Sequence, residues 1–224
     1  MNDMNSDRDL YSQELKELLR ESLVRQIGGE FSGHQSDPYF YTREGYPMST
    51  KIDNLPLYPQ SIPDLVLSWA KLDRAKERSM EDILVLDLET TGLGRGGTIA
   101  IMIGVGYYEK GEFFVEQVFL PDPDAEEHSL DRLRELVESH SLLITFNGKT
   151  FDVPVLESRL LYHQLWLDIR QMEHLDLLHL ARRYGKGNCP PARWKPLNTI
   201  YLAIFGTKNW TSRAATSRRA ISTI

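Results

Sequence analysis

The segment Ile83-Leu84-Val85-Leu86-Asp87-Leu88-Glu89 is an apolar run of strand length, broken only by two carboxylates at alternate positions. Alternate side chains of a strand share a face at a spacing of about 6.6 Å. Asp87 and Glu89 therefore point the same way as Ile83 and Val85. Two carboxylates on one otherwise apolar face repel each other and resist desolvation, so a basic side chain or a divalent cation must compensate them. A pair of ions about 4 Å apart, bridged by carboxylates, suits in-line displacement at phosphorus. Hard Mg²⁺ takes few protein carboxylates and leaves room for phosphate oxygens and water. The plainer alternative is a salt-bridged pair at a strand end.

The flanking pattern sets the architecture. A glycine-rich turn at Gly92–Gly97 is followed by a β-branched and apolar run from Thr98 to Tyr108. Glu109-Lys110-Gly111-Glu112 reads as a tight turn with Gly available for positive φ, and Phe113 to Leu120 as a third strand. Three strands joined by short turns form an antiparallel meander. Pro121 to Asp124 leads into a helix whose Leu130, Leu133, Leu136 and Val137 share one face. Ser141 to Phe146 is a fourth strand, which the helical crossover makes parallel to the first. Phe151 to Trp166 and Asp176 to Tyr184 are expected helices. The expected fold class is α/β, a mixed sheet of an antiparallel three-strand meander plus parallel strands, flanked by helices. Upstream, residues 10–27 repeat apolar positions at helical spacing and stop at Gly28-Gly29. Phe31 to Pro63 reads as irregular or extended linker, and Ile62 to Ala75 as a short helix opened by Pro63-Asp64. The chain divides into a leader over 1–80, a domain over 81–206 and a basic tail over 207–224.

Leu86-Asp87-Leu88-Glu89-Thr90-Thr91-Gly92-Leu93 resembles the first motif of the DEDD 3′–5′ exonucleases, a family with four acidic metal ligands. Phe146-Asn147-Gly148-Lys149-Thr150-Phe151-Asp152 resembles their second motif, Asn-x-x-x-Phe-Asp, and falls after the fourth strand, where that family has it. The element order βββαβα is similar to the RNase H-like plan. Asp-Leu-Leu-His-Leu-Ala-Arg-Arg at Asp176–Arg183 is similar to a feature of the bacterial YprB-like group of RNase H-like proteins. The resemblance implies a metal-dependent nuclease acting on the 3′ end of DNA or RNA with two Mg²⁺ or Mn²⁺ ions. Asp87, Glu89 and Asp152 would hold the metals, Asn147 and Phe151 would contact the terminal nucleotide, and Thr90, Thr91, Gly92 and Leu93 would line its pocket. Asp176 reads as a helix N-cap rather than a ligand. Lys149 is either a phosphate contact or an ordinary exposed loop lysine.

The family's third motif, a Tyr or His followed by a fourth Asp, is absent, because no acid lies beyond Asp176. The RNase H-like unit is therefore expected to be incomplete at its carboxyl end. Leu197-Asn198-Thr199-Ile200 and Phe205-Gly206 still resemble the family, with Tyr201 where its members usually carry Glu. Reading Asn209-Trp210-Thr211 one base earlier forces Leu-Asp and permits a family-like continuation, so a shifted reading frame is one account of the tail. Sequencing the gene across that stretch decides it. The rival functional class is a catalytically inactive nucleic-acid-binding or scaffold protein derived from the same family.

A net charge of -6 argues against bulk attraction to nucleic acid. That sum hides a stretch from Leu177 to Ile224 with no Asp or Glu, in which Arg182, Arg183, Lys186 and Arg193 fall. It is either a phosphate-facing surface or an unselected tail. Cys189 is the only cysteine, so a reducing compartment is expected. With a polar amino terminus and no apolar run of spanning length, a cytoplasmic protein without membrane contact is expected. Gly92-Leu93-Gly94-Arg95-Gly96-Gly97 matches a dinucleotide pattern, but a strand follows it and not a helix, so no nicotinamide or flavin cofactor is expected. His174, His179 and Cys189 match no compact zinc spacing. Tyr107, Tyr108, Phe113 and Phe114 read as sheet core ahead of a base-stacking platform.

Overall fold

The computed structural model describes residues 3–34, 38–52, 55–57, 61–92, 98–121 and 123–184. In chain order its elements are α1 (Asp3–Ile27), β1 (Glu30–Ser32), β2 (Tyr39–Pro47), β3 (Lys51–Ile52), β4 (Leu55–Pro56), α2 (Asp64–Ala70), β5 (Ile83–Thr90), β6 (Ala100–Glu109), β7 (Glu112–Phe119), α3 (Glu126–Glu138), β8 (Leu142–Thr145), α4 (Asp152–Tyr162), β9 (Glu173–Asp176) and α5 (Leu177–Tyr184). Leu93, Cys189 and everything from residue 185 onward, including the tail, lie outside the described residues.

The strand order β1-β2-β7-β6-β5-β8-β9 puts the carboxylate-bearing β5 between an antiparallel and a parallel half. β5, β6 and β7 are the expected antiparallel meander. Its β6–β7 turn has Lys110 at φ 50° and Gly111 at φ 79°, the two positive angles that a tight hairpin turn matching the strand twist requires. β8 returns parallel to β5, with Val85 opposite Ile144 as the last pair, and β9 adds a second parallel partner outside β8. The expected mixed α/β sheet is thus the observed one.

Alternation along β5 splits the core in two. Leu84, Leu86 and Leu88 face Leu130, Leu133 and Val137 of α3 and Leu156 and Leu160 of α4. Ile83 and Val85 face Val66 and Leu67 of α2 and Leu177 and Leu180 of α5. Burying a leucine-sized side chain contributes roughly 1.5–3 kcal/mol, so both layers are needed to hold a strand this apolar. Tyr107, Tyr108 and Phe113 are buried, as a core role requires, and Phe114 is half-buried.

Two segments differ from the sequence reading. The stretch expected to be linker supplies β2, which pairs antiparallel with β7 over eight residues from Phe40 to Pro47. Its Pro, Gly and Tyr content hid a strand at the sheet's outer half, where Pro is tolerated at a strand end. β9 was not expected at all. Its four residues, Glu173-His174-Leu175-Asp176, carry no apolar run, and parallel pairing to β8 makes it a strand.

Buried charges tie the layers together. Glu116, in the middle of β7, accepts hydrogen bonds from Arg132 of α3 and from the Tyr107 hydroxyl. Glu126, at the start of α3, is 1% exposed and is held by Arg159 of α4, with His163 Nε2 2.8 Å away. Arg78, before β5, grips Glu173 of β9.

Candidate functional site

Asp87 and Glu89 continue the line of Ile83 and Val85 beyond the point where β8 stops, so they leave the core on the α2/α5 side. The β5–β6 register shifts between Glu89 and Thr90, an irregularity of the kind that re-aims side chains at strand ends. Thr90 then donates its hydroxyl to the Gly92 carbonyl at 2.7 Å, and Thr91 pairs with Ile99 through both its N–H and its Oγ1. Thr90, Thr91 and Gly92 thus form a closed rim at the end of β5.

Asp152 comes from the other flank. It is the first residue of α4 and is 3% exposed. Beyond Val85 the β5–β8 ladder has ended, and the Leu88 N–H donates to Asp152 Oδ1 at 3.0 Å in place of a strand carbonyl. This bond joins positions 64 residues apart and fixes the amino end of α4 against β5.

The segment between β8 and α4 is built to deliver Asp152 there. Asn147 adopts φ 69°, left-handed geometry that Asn tolerates better than most residues. Its carbonyl accepts the Thr150 and Phe151 N–H groups, and its Oδ1 accepts the Thr150 hydroxyl at 2.7 Å. Gly148 packs so tightly that a Cβ would lie 2.4 Å from Thr145 Oγ1. That hydroxyl accepts the Gly148 N–H at 3.2 Å and sits 2.8 Å from His174 Nε2. Asp176 accepts the Leu178 N–H of α5, the N-cap expected of it, and also the N–H groups of Asn147 and Lys149. The double hold on the loop escaped the sequence reading because it joins residues 27 and 29 positions apart. Asn-Gly at 147–148 is a recognised turn signal and was the one local clue.

The electrostatics follow from the crowding. Burial, then the charges of Asp152 and Glu89, push the Asp87 carboxyl up to about 7. Burial pushes Asp152 up to about 6, against the Leu88 and Asp152 N–H groups and with the Asp176 charge adding to the rise. No cation contributes to either carboxyl, and neither has a Lys or Arg partner among the described residues. His174 goes the other way, down to about 4, through burial and the Lys149 charge, with Asp176 opposing and His179 assisting. It is neutral at pH 7.

The structure brings the charges of Asp152 and Glu89 to bear on Asp87 and places Thr90, Thr91 and Gly92 at the same end of β5. Asn147 and half-buried Phe151 stand on the segment that carries Asp152. As the side chains stand, no three His, Cys, Asp or Glu among the described residues converge into a ready cage for an ion. The donors are nonetheless the right kind for a hard divalent cation, carboxylate oxygens, and those of Asp87 and Asp152 have no Lys or Arg partner among the described residues. Among the described residues no helix is long and apolar enough to cross a membrane.

This fold, with acids at the end of its central strand, corresponds to what family comparison finds. A family profile described as RNase_H superfamily matches residues 84–195, half of the chain, and the chain belongs to that superfamily. Over 117 residues it is 35% identical to the "Uncharacterized protein YprB" of Bacillus subtilis (strain 168), which covers 50% of this chain and 27% of the relative. The chain thus matches about a quarter of that relative's length.

Proposed function

We propose that this chain is a metal-dependent 3′–5′ exonuclease-like nuclease, hydrolysing terminal phosphodiesters of DNA or RNA by a two-metal-ion mechanism. The observation that carries the reading is the pair Asp87 and Asp152: two carboxylates drawn together, desolvated, and lacking a cation among the described residues. A structural ion pair would supply the cation itself, and a site for Mg²⁺ or Mn²⁺ would leave the charge to the metal. Asp87, Glu89 and Asp152 would hold the ions. Divalent ions bound there supply the Lewis acidity that in-line displacement at phosphorus needs. The protein's own part is placement. The Leu88 N–H orients Asp152, the Asn147 turn and its Asp176 clamp fix the start of α4, and the Thr90–Gly92 rim borders the space for a terminal nucleotide. Leu93, Asn147 and Phe151 complete that pocket in this reading. Residues 81–206 carry the chemistry in this reading, and the segment before them supports it by adding β2 to the sheet and α2 to the core.

The test is hydrolysis of a labelled oligodeoxynucleotide and an oligoribonucleotide in Mg²⁺ or Mn²⁺, with EDTA and Asp87→Ala as controls. Loss of the 3′-terminal nucleotide that needs the metal and vanishes in Asp87→Ala is expected. Activity that survives Asp87→Ala overturns the site. A second reading, a catalytically inactive nucleic-acid-binding or scaffold protein, is favoured by the acids' failure to converge into a cage among the described residues. Oligonucleotide binding without metal-dependent cleavage would select it.

A further inference from the structure

Between residues 98 and 182 the cations Lys110, Arg132, Arg134, Arg159 and Arg170 each hold a carboxylate partner. The two others, Lys149 and Arg182, are exposed and have no carboxylate partner among the described residues. Both belong to the structure that Asp176 organises. Lys149 is on the β8–α4 loop, its N–H held by Asp176 at 3.1 Å, three residues before Asp152. Arg182 is on α5, the helix that Asp176 caps.

The loop cannot receive an anion through its backbone. The N–H groups of Asn147 and Lys149 are taken by Asp176, that of Gly148 by Thr145, and those of Thr150 and Phe151 by the Asn147 carbonyl. A phosphate alongside it would be met by the Lys149 ammonium alone. Leu177 and Leu180 turn one face of α5 into the core, which leaves His179 and Arg182, three apart, as neighbours on the other. Asp176 accepts the N–H groups of Asn147 and Lys149 from the loop and of Leu178 from α5, so the loop and the first turn of α5 meet at one carboxylate. Arg182 is about 9 Å further along the helix axis from its cap. No Asp or Glu occurs from Leu177 onward to compete for it.

We propose that a single nucleic-acid strand leaves the acidic cluster over the β8–α4 loop and along the outer face of α5, its phosphodiesters contacted by Lys149 and Arg182. The assignment rests on the nuclease reading, which places the strand's end at Asp87 and Asp152. It is tested by fluorescence anisotropy of the full chain with 5′-fluorescein oligo(dT) and oligo(rU) in calcium buffer across a salt series. Each phosphate contact removed from a single strand flattens the slope of log K against log salt by about 0.7. Lys149→Ala and Arg182→Ala should each show that loss on both probes, and the double variant about twice it. Arg74→Ala, which removes an exposed arginine in the turn after α2, should leave the slope unchanged. Slopes that stay at the wild-type value in both variants overturn the path while leaving the nuclease reading standing. A loss confined to oligo(rU) overturns the phosphodiester assignment. Failure of the wild-type chain to bind either probe overturns the path and the nuclease reading together.

Discussion

Asp87→Asn should make the metal-free protein more stable and inactive at once. The Asp87 carboxyl is raised from 3.8 to about 7 by burial and by the Asp152 and Glu89 charges. A carboxyl with a folded pKa above its unfolded value binds its proton more tightly in the folded chain. Stability is therefore highest below about pH 4 with respect to this group and falls as pH rises towards 7, after which the deficit is constant. At 1.36 kcal/mol per pH unit the full deficit at pH 8 is about 4 kcal/mol. Asparagine removes the charge but still gives up hydration at a half-buried position, so a gain of about 2–4 kcal/mol is expected. For a chain of this size that is roughly 4–16 °C in Tm. The assay is thermal unfolding of wild type and Asp87→Asn in EDTA at pH 4, 6 and 8. The gain should be large at pH 8, reduced at pH 6 and nearly gone at pH 4. An Asp87→Asn variant that melts at or below the wild type at pH 8, or a gain independent of pH, refutes the reasoning.

Three further outcomes follow from named contacts. Asp176→Ala orphans the N–H groups of Asn147, Lys149 and Leu178; a loss of about 3 kcal/mol in urea unfolding is expected, together with a fall in nuclease activity. Gly148→Ala drives a Cβ against Thr145 and should cost about 1–3 kcal/mol, and pairing it with Thr145→Ala should recover part of that loss. Arg159→Met leaves Glu126 buried without its main partner, a loss of about 3–5 kcal/mol, whereas the double variant with Glu126→Gln should melt well above the single one.

The central strand and its neighbours were legible because their signals are local. The run from Ile83 to Glu89 is apolar but for two carboxylates at alternate positions, the Lys110-Gly111 turn carries its own geometry, and the Leu130, Leu133, Val137 stripe marks α3. Asp87 and Glu89 could be placed on one face from spacing alone. What sequence could not show was created by pairing. β9 is a strand because β8 offers it a ladder, and β2 because β7 does. The Asp176 clamp exists only once β9 ends beside the Asn147 turn. The same holds for the charge state of Asp87, which depends on an Asp152 that lies 65 positions away and is brought beside it by the β8–α4 loop.

The hydrogen bond from Leu88 to Asp152 has a use that requires neither substrate nor a guess at one. The donor is a main-chain amide within a rigid strand, and its acceptor is a carboxyl with a pKa of about 6. The ¹⁵N and ¹H shifts of the Leu88 amide should therefore trace the ionisation of Asp152 through the accessible pH range. Any cation that binds this carboxylate would displace that titration to lower pH. One resonance in the spine of the sheet thereby becomes a gauge for the occupancy of a site at its rim.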